Sequence, residues 1–120
     1  AAAEAAAARA FAPQSPPQRY LEAARVDLVL RPATLRANAL QLAALKDQIR
    51  VMAPRYGDLA VPVELMHGTA DVTVPLAIHS APFAAQVGGA RLTTLEGVGH
   101  MPHHADPEAV LAALDRLPER

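Results

Sequence analysis

Asp71 sits just after His67 in "HGTADVTVP" (67–75), and His100 sits in "GVGHMP" (97–102), each near glycines that let the backbone turn sharply. An aspartate and a histidine that meet form an acid–base pair. The carboxylate orients the imidazole, fixes its tautomer and stabilises the imidazolium formed when the ring takes a proton. That is half of the machinery of nucleophilic hydrolysis; the other half is a side chain that attacks. The chain has no cysteine, and its serines are Ser15 in "PQSPP" and Ser80 in "IHSAP". Neither has the flanking glycines of an exposed nucleophile turn, and Ser80 falls within a predicted helix. These residues therefore offer no nucleophile. Losing the nucleophile from such a unit costs about a factor of 10⁶ in kcat, judged from a serine protease. The chain alone is expected to be inactive.

For the pair to meet, the segments before Asp71 and His100 must run side by side. "VPVELMHG" (61–68) has strand composition, with Pro62 near its start and Gly68 at its end. "GGARLTTLEG" (88–97) reads as turn, strand, turn. Between them, Thr73 and Pro75 read as the cap and early turn of a helix running to about Val87. The last helix opens with Asp106 as N-cap, Pro107 in first position and Glu108 in the first turn. Its apolar face is Val110, Leu111, Leu114 and Leu117. Strand, helix, strand, helix predicts a βαβα unit with parallel strands. Loops that follow parallel strands emerge on one rim, which would place Asp71 and His100 together.

Upstream, Ala1 to Ala10 has high helix propensity but no apolar stripe, as in a frayed helix. Ser15 reads as an N-cap before Pro16, opening a helix with Tyr20, Leu21, Ala24 and Leu28 that Arg31-Pro32 interrupts. Leu35, Leu42, Leu45, Ile49 and Met52 then recur at helical spacing, with Arg36, Lys46, Asp47 and Arg50 on other faces. Pro54 stops that helix. The stripe is expected to pack as core or cap. Residues 1–53 thus form a helical, cap-like segment, and residues 54–120 a βαβα part carrying the acid and the histidine.

The order HG-x-x-D-x-x-V-P, strand, G-x-G-H-x-P and a D-P-E-x-V helix resembles the C-terminal portion of the α/β-hydrolase family over Val61 to Leu117. The resemblance implies the βαβα end of that family's parallel sheet, preceded by cap-like helices, and a hydrolase activity. Matched residue by residue, Asp71 is the family's acid and His100 its base, while the nucleophile elbow is absent. The family order is nucleophile, acid, histidine. The missing N-terminal half of the same enzyme would then be the partner that completes the site. A serine there would imply ester-like substrates, and an aspartate haloalkanes or epoxides. The small apolar side chains favour a small apolar substrate. Val72 and Met101, adjacent to the pair, are expected to line its pocket.

Each remaining candidate has a plainer reading. His100, His103, His104 and Asp106 are dense enough to suggest a metal, yet adjacent histidines in a Pro-containing loop do not converge as zinc ligands must. They are read as loop residues, and no metal or cofactor is assigned. A metal enzyme would be inhibited by chelator; a triad enzyme would not. His67 is expected to be packed or hydrogen-bonded near the site, His79 to be on the surface, and Glu64 to face a solvent edge.

Composition narrows the partners. Lys and Arg total 11 against 12 Asp and Glu, a net charge of −1, which leaves no footprint for nucleic acid. No apolar run approaches a membrane span, and the Ala-rich start is interrupted by Glu4 and Arg9, unlike a secretory signal. A cytoplasmic location is the default. Ala1 is expected to lie inside a longer chain, since the first Met is Met52. A rival reading is a non-catalytic module that associates through exposed strand edges.

Overall fold

The computed structural model describes residues 2–118, so Ala1 lies outside the described residues. In chain order the elements are α1 (Ala2–Phe11), α2 (Tyr20–Ala23), α3 (Val26–Val29), α4 (Pro32–Met52) and a 3-10 helix (Ala53–Asp58). They continue with β1 (Val63–Gly68), α5 (Ser80–Gln86), β2 (Ala90–Leu95), α6 (Pro102–Ala105) and α7 (Pro107–Asp115).

The expected fold class, the βαβα portion of an α/β-hydrolase parallel sheet preceded by cap-like helices, is corrected here. Helix dominates, and the described residues form a sheet of two strands rather than a multi-stranded α/β-hydrolase sheet. The reason lies in the side chains. Strand-type composition bounded by turns is confined to the two short runs around 63–68 and 90–95. Elsewhere the apolar residues are mostly Ala and Leu, which give up little freedom in a helix.

What the two strands do is specific. β1 and β2 pair in parallel, Val63 opposite Ala90 through Gly68 opposite Leu95. Both therefore end at the same level, and α5 makes the crossover between them. Val87, the last residue before the Gly88-Gly89 turn, is buried at the foot of that crossover. The 3-10 helix leans on α5: Tyr56 and Phe83 stack with centroids 4.9 Å apart, and Gln86 Nε2 donates to the Ala53 carbonyl at 2.6 Å.

α7 caps as the sequence predicts, with Asp106 Oδ1 accepting from the Ala109 amide at 2.9 Å and Pro107 at the first position. It lies along β1. Glu64, expected at a solvent edge, instead receives both guanidinium arms of Arg116 at 3.0 and 2.7 Å. That hydrogen bonding holds the Glu64 carboxyl below its ordinary pKa.

The N-terminal helices depart from expectation in three ways. α1 is not a frayed helix without a buried face: Ala7 and Phe11, one turn apart, are buried. Ser15 caps nothing. The backbone enters the left-handed region at Arg19 (φ 58°) and again at Arg25 (φ 49°), so the expected helix splits into α2 and α3. Each arginine pairs with a nearby carboxylate, Glu22 or Asp27, that faces its guanidinium. Finally, α4 begins at Pro32, the residue expected to interrupt the preceding helix, and its Leu35-to-Met52 stripe is largely uncovered, Leu42 being 60% exposed. It is not core for the described residues: each of its members is exposed, and only its Ile49–Met52 end approaches the 3-10 helix and α5.

Candidate functional site

The rim formed by the ends of β1 and β2 is knitted by its own backbone. The Thr69 amide donates to the Leu95 carbonyl at 3.0 Å and the Ala70 amide to the Val98 carbonyl at 2.9 Å. The Gly97 amide returns to Thr69 Oγ1 at 2.9 Å. Such closeness needs a residue without a side chain at the crossing. A Cβ on Gly68 would overlap the Val98 and Gly99 carbonyl oxygens, and one on Gly99 would overlap the carbonyl of Ala12. This is the physical reason for a His-Gly at the end of β1.

On this rim Asp71 and His100 meet. His100 Nδ1 lies 2.8 Å from Asp71 Oδ2. The other carboxylate oxygen, Oδ1, accepts from the Thr73 amide at 2.8 Å and the Val74 amide at 2.9 Å. The Asp71 side chain is only 5% exposed. Burial pushes its pKa up, but the Val74 amide, the His100 ring and the Thr73 amide together outweigh this and hold it below the ordinary carboxylate value. An ionised carboxylate only accepts, so His100 donates from Nδ1 and Nε2 is left as the nitrogen that takes a proton. His100 itself is partly exposed. The geometry is that of a carboxylate orienting an imidazole ring.

Thr73 and Pro75 do not cap a helix. The 71–75 turn is instead closed on the Asp71 carboxylate, and α5 begins later, at Ser80. Asp71 therefore takes both roles: turn punctuation and partner of His100.

The other expected site residues are less well placed. Val72 is 81% exposed. Met101 is half-buried, and its carbonyl accepts from His104 and Ala105 amides at the start of α6. An open cavity of about 400 Å³ lies elsewhere, between α4, the 3-10 helix and α5; it is lined by Ile49, Tyr56, Ile78, Ser80 and Phe83, among others, not by Val72 or Met101.

The histidine cluster resolves residue by residue. The His104 ring packs 5.2 Å from Phe11 and 5.6 Å from Tyr20, centroid to centroid. His103 stacks beside it at 4.5 Å, and burial followed by the charges of His104 and His100 holds its ring below the ordinary pKa. Among the described residues, no three His, Asp or Glu side chains are gathered as a metal ion would require. His79 is exposed, while His67 is buried and bonded beside Asp71.

Sequence reasoning missed Gln14. Its Nε2 donates to the Gly97 carbonyl at 2.9 Å, and its Oε1 accepts from the Gly99 amide, also at 2.9 Å. A side chain from the helical segment thus clamps the loop that carries His100. Its only signal in the sequence is a long amide in a proline-rich stretch, too common to stand out.

No protein-family model and no solved structure matches the chain. It is 37% identical over 58 residues to proteins named as uncharacterized from Mycobacterium bovis and from two strains of Mycobacterium tuberculosis. The matched stretch is 48% of this chain, and the chain covers 17% of the length of those relatives. Among the described residues, no helix is long and apolar enough to cross a membrane.

Proposed function

We propose that this chain supplies the Asp–His half of a catalytic triad in a hydrolase that works by nucleophilic attack on a small, apolar, ester-like substrate. The observation that supports the reading is the 2.8 Å contact from His100 Nδ1 to a buried, ionised Asp71. His100 Nε2 takes the proton of the attacking group, or of the water that releases the product, and Asp71 stabilises the resulting imidazolium. The nucleophile comes from a part of the same enzyme outside these 120 residues. If it is a serine, the substrates are esters and related acyl compounds; if an aspartate, haloalkanes or epoxides, with His100 activating water.

The test is hydrolysis of a short-chain p-nitrophenyl ester and of a haloalkane by the complete gene product that contains this chain. Replacement His100→Ala should abolish whichever activity is found, and chelator should leave it unchanged. Full activity in His100→Ala rejects the proposal.

A second reading, association without catalysis, is favoured by a specific feature. Among the described residues, β1 and β2 each pair on one side only, and Leu42 on α4 is 60% exposed. Such edges and faces recruit a partner. Sedimentation of the chain separates the two: concentration-dependent assembly with no activity in the complete product supports association.

A further inference from the structure

Behind the Asp71–His100 pair lies a second histidine that the proposed chemistry does not use. His67 ends β1, is 6% exposed, and has both ring nitrogens engaged. Nε2 lies 2.8 Å from the Val74 carbonyl oxygen, and Nδ1 lies 2.6 Å from Ser80 Oγ. A carbonyl can only accept, so Nε2 carries the hydrogen. In the neutral ring Nδ1 is then bare, and the Ser80 hydroxyl donates to it. The Ser80 hydrogen bond therefore selects the tautomer that can hold Val74.

Val74 matters because it is gripped from both sides. Its amide donates to Asp71 Oδ1 at 2.9 Å, and its carbonyl is tied to His67. His67 Nε2 also lies 3.6 Å from Asp71 Oδ2, the oxygen that receives His100. The ring is too distant there for a short hydrogen bond, yet it fills the space behind that oxygen. The titratable groups facing His100 and Asp71 are thus each other, His67, and His103 on α6.

We infer that His67 and Ser80 are positioning residues for the acid: Ser80 sets the His67 tautomer, and His67 locks the Val74 turn that aims the Asp71 carboxylate at His100. This rests on the reading of Asp71 and His100 as the acid–base pair. It is the arrangement by which partners around a reactive carboxylate fix its geometry, and catalytic geometry depends on such support.

The experiment is ¹⁵N NMR of the imidazole rings in the complete gene product that contains this chain, at alkaline pH. It reads the ratio of the Nδ1–H to the Nε2–H form of His100, which only a correctly aimed Asp71 biases towards Nδ1–H. Ser80→Ala and His67→Leu should lower that ratio about tenfold, the effect expected for losing a hydrogen bond that supports a charged group. Ser80→Thr, which keeps the hydroxyl, should restore it. Amide spectra confirm that each variant is folded, and Ser80→Ala, the mildest change, carries the test if His67→Leu does not fold. A ratio within twofold of the parent in Ser80→Ala, while Asp71→Asn shifts it fully, overturns the inference and leaves the acid–base pair standing. A ratio unmoved by Asp71→Asn overturns the acid–base pair, and the inference with it.

Discussion

Replacing Asp71 with Asn probes the proposed chemistry at its narrowest point. The new side chain has one oxygen and one NH₂ where the carboxylate had two acceptors. If the oxygen stays at the Oδ1 position, the amides of Thr73 and Val74 keep their acceptor, and the NH₂ faces His100 Nδ1. Two donors would then meet, so the ring must move its hydrogen to Nε2. The opposite orientation is worse, because the NH₂ would face two backbone donors instead of one. Either the turn or the tautomer gives way, and the tautomer is the less costly. With hydrogen on Nε2 the ring cannot accept a proton from a nucleophile. In a serine protease the same change lowers kcat by about 10⁴, which at about 1.36 kcal/mol per tenfold is about 5.4 kcal/mol of transition-state stabilisation. Stability should change less. A hydrogen bond to an ionised group exceeds a neutral one by about 1–2 kcal/mol, so the variant should fold. The assay is steady-state ester hydrolysis by the complete gene product, parent against Asp71→Asn, with a urea melt of each. A loss under about tenfold in kcat, against the 10⁴ that tautomer control implies, would refute the role given to Asp71.

Four further outcomes follow from contacts on the rim and its supports. Gly99→Ala drives a methyl into the Ala12 carbonyl, which as backbone cannot swing aside, and should cost at least about 1–3 kcal/mol in a urea melt. Gln14→Ala removes two hydrogen bonds to the His100 loop and should cost about 1–3 kcal/mol, with amide exchange of Gly99 accelerated. Phe11→Ala empties a site that is 2% exposed and loses the contacts with Tyr20 and His104, about 3–5 kcal/mol by thermal or urea unfolding. Acid should weaken the fold with a defined sign: Asp71 has a depressed pKa, so its contribution is complete above the ordinary value of 3.8 and is lost as pH falls through its lower folded value. Glu64 acts in the same direction, and a urea series at falling pH should show a flatter acid limb in Asp71→Asn.

The parts of this structure that could be read in advance are those governed by neighbours in sequence. Asp106 before Pro107 and Glu108 caps α7 with local atoms only, and the strands around Leu65 and Leu92 are bounded by their own turns. The meeting of Asp71 with His100 was legible because two turn motifs recur in a fixed order after parallel strands. The misses share the opposite character. Phe11 is buried by Tyr20 and His104, and Glu64 is paired by Arg116, contacts between segments with no common motif. Thr73 and Pro75 looked like a helix start because the same residue types serve a carboxylate-closed turn. A parallel pair of strands implies further neighbours, but the described segments outside β1 and β2 are rich in Ala and Leu and form no third strand.

The Gln14 clamp also orders events in time. Asp71 and His100 are separated by 29 residues, whereas Gln14 and Gly99 are separated by 85. Closing the longer loop costs about 1 kcal/mol more chain entropy, from the logarithm of the length ratio. The acid–base pair should therefore assemble as soon as β1 and β2 align, and the clamp should latch afterwards. In reverse, the Gln14 latch should open while Asp71 still holds His100 and Phe11 stays packed on His104. The chain would pass through a state whose chemical pair is intact but whose histidine loop is loose, and that state is the one exposed to proteases near Gln14.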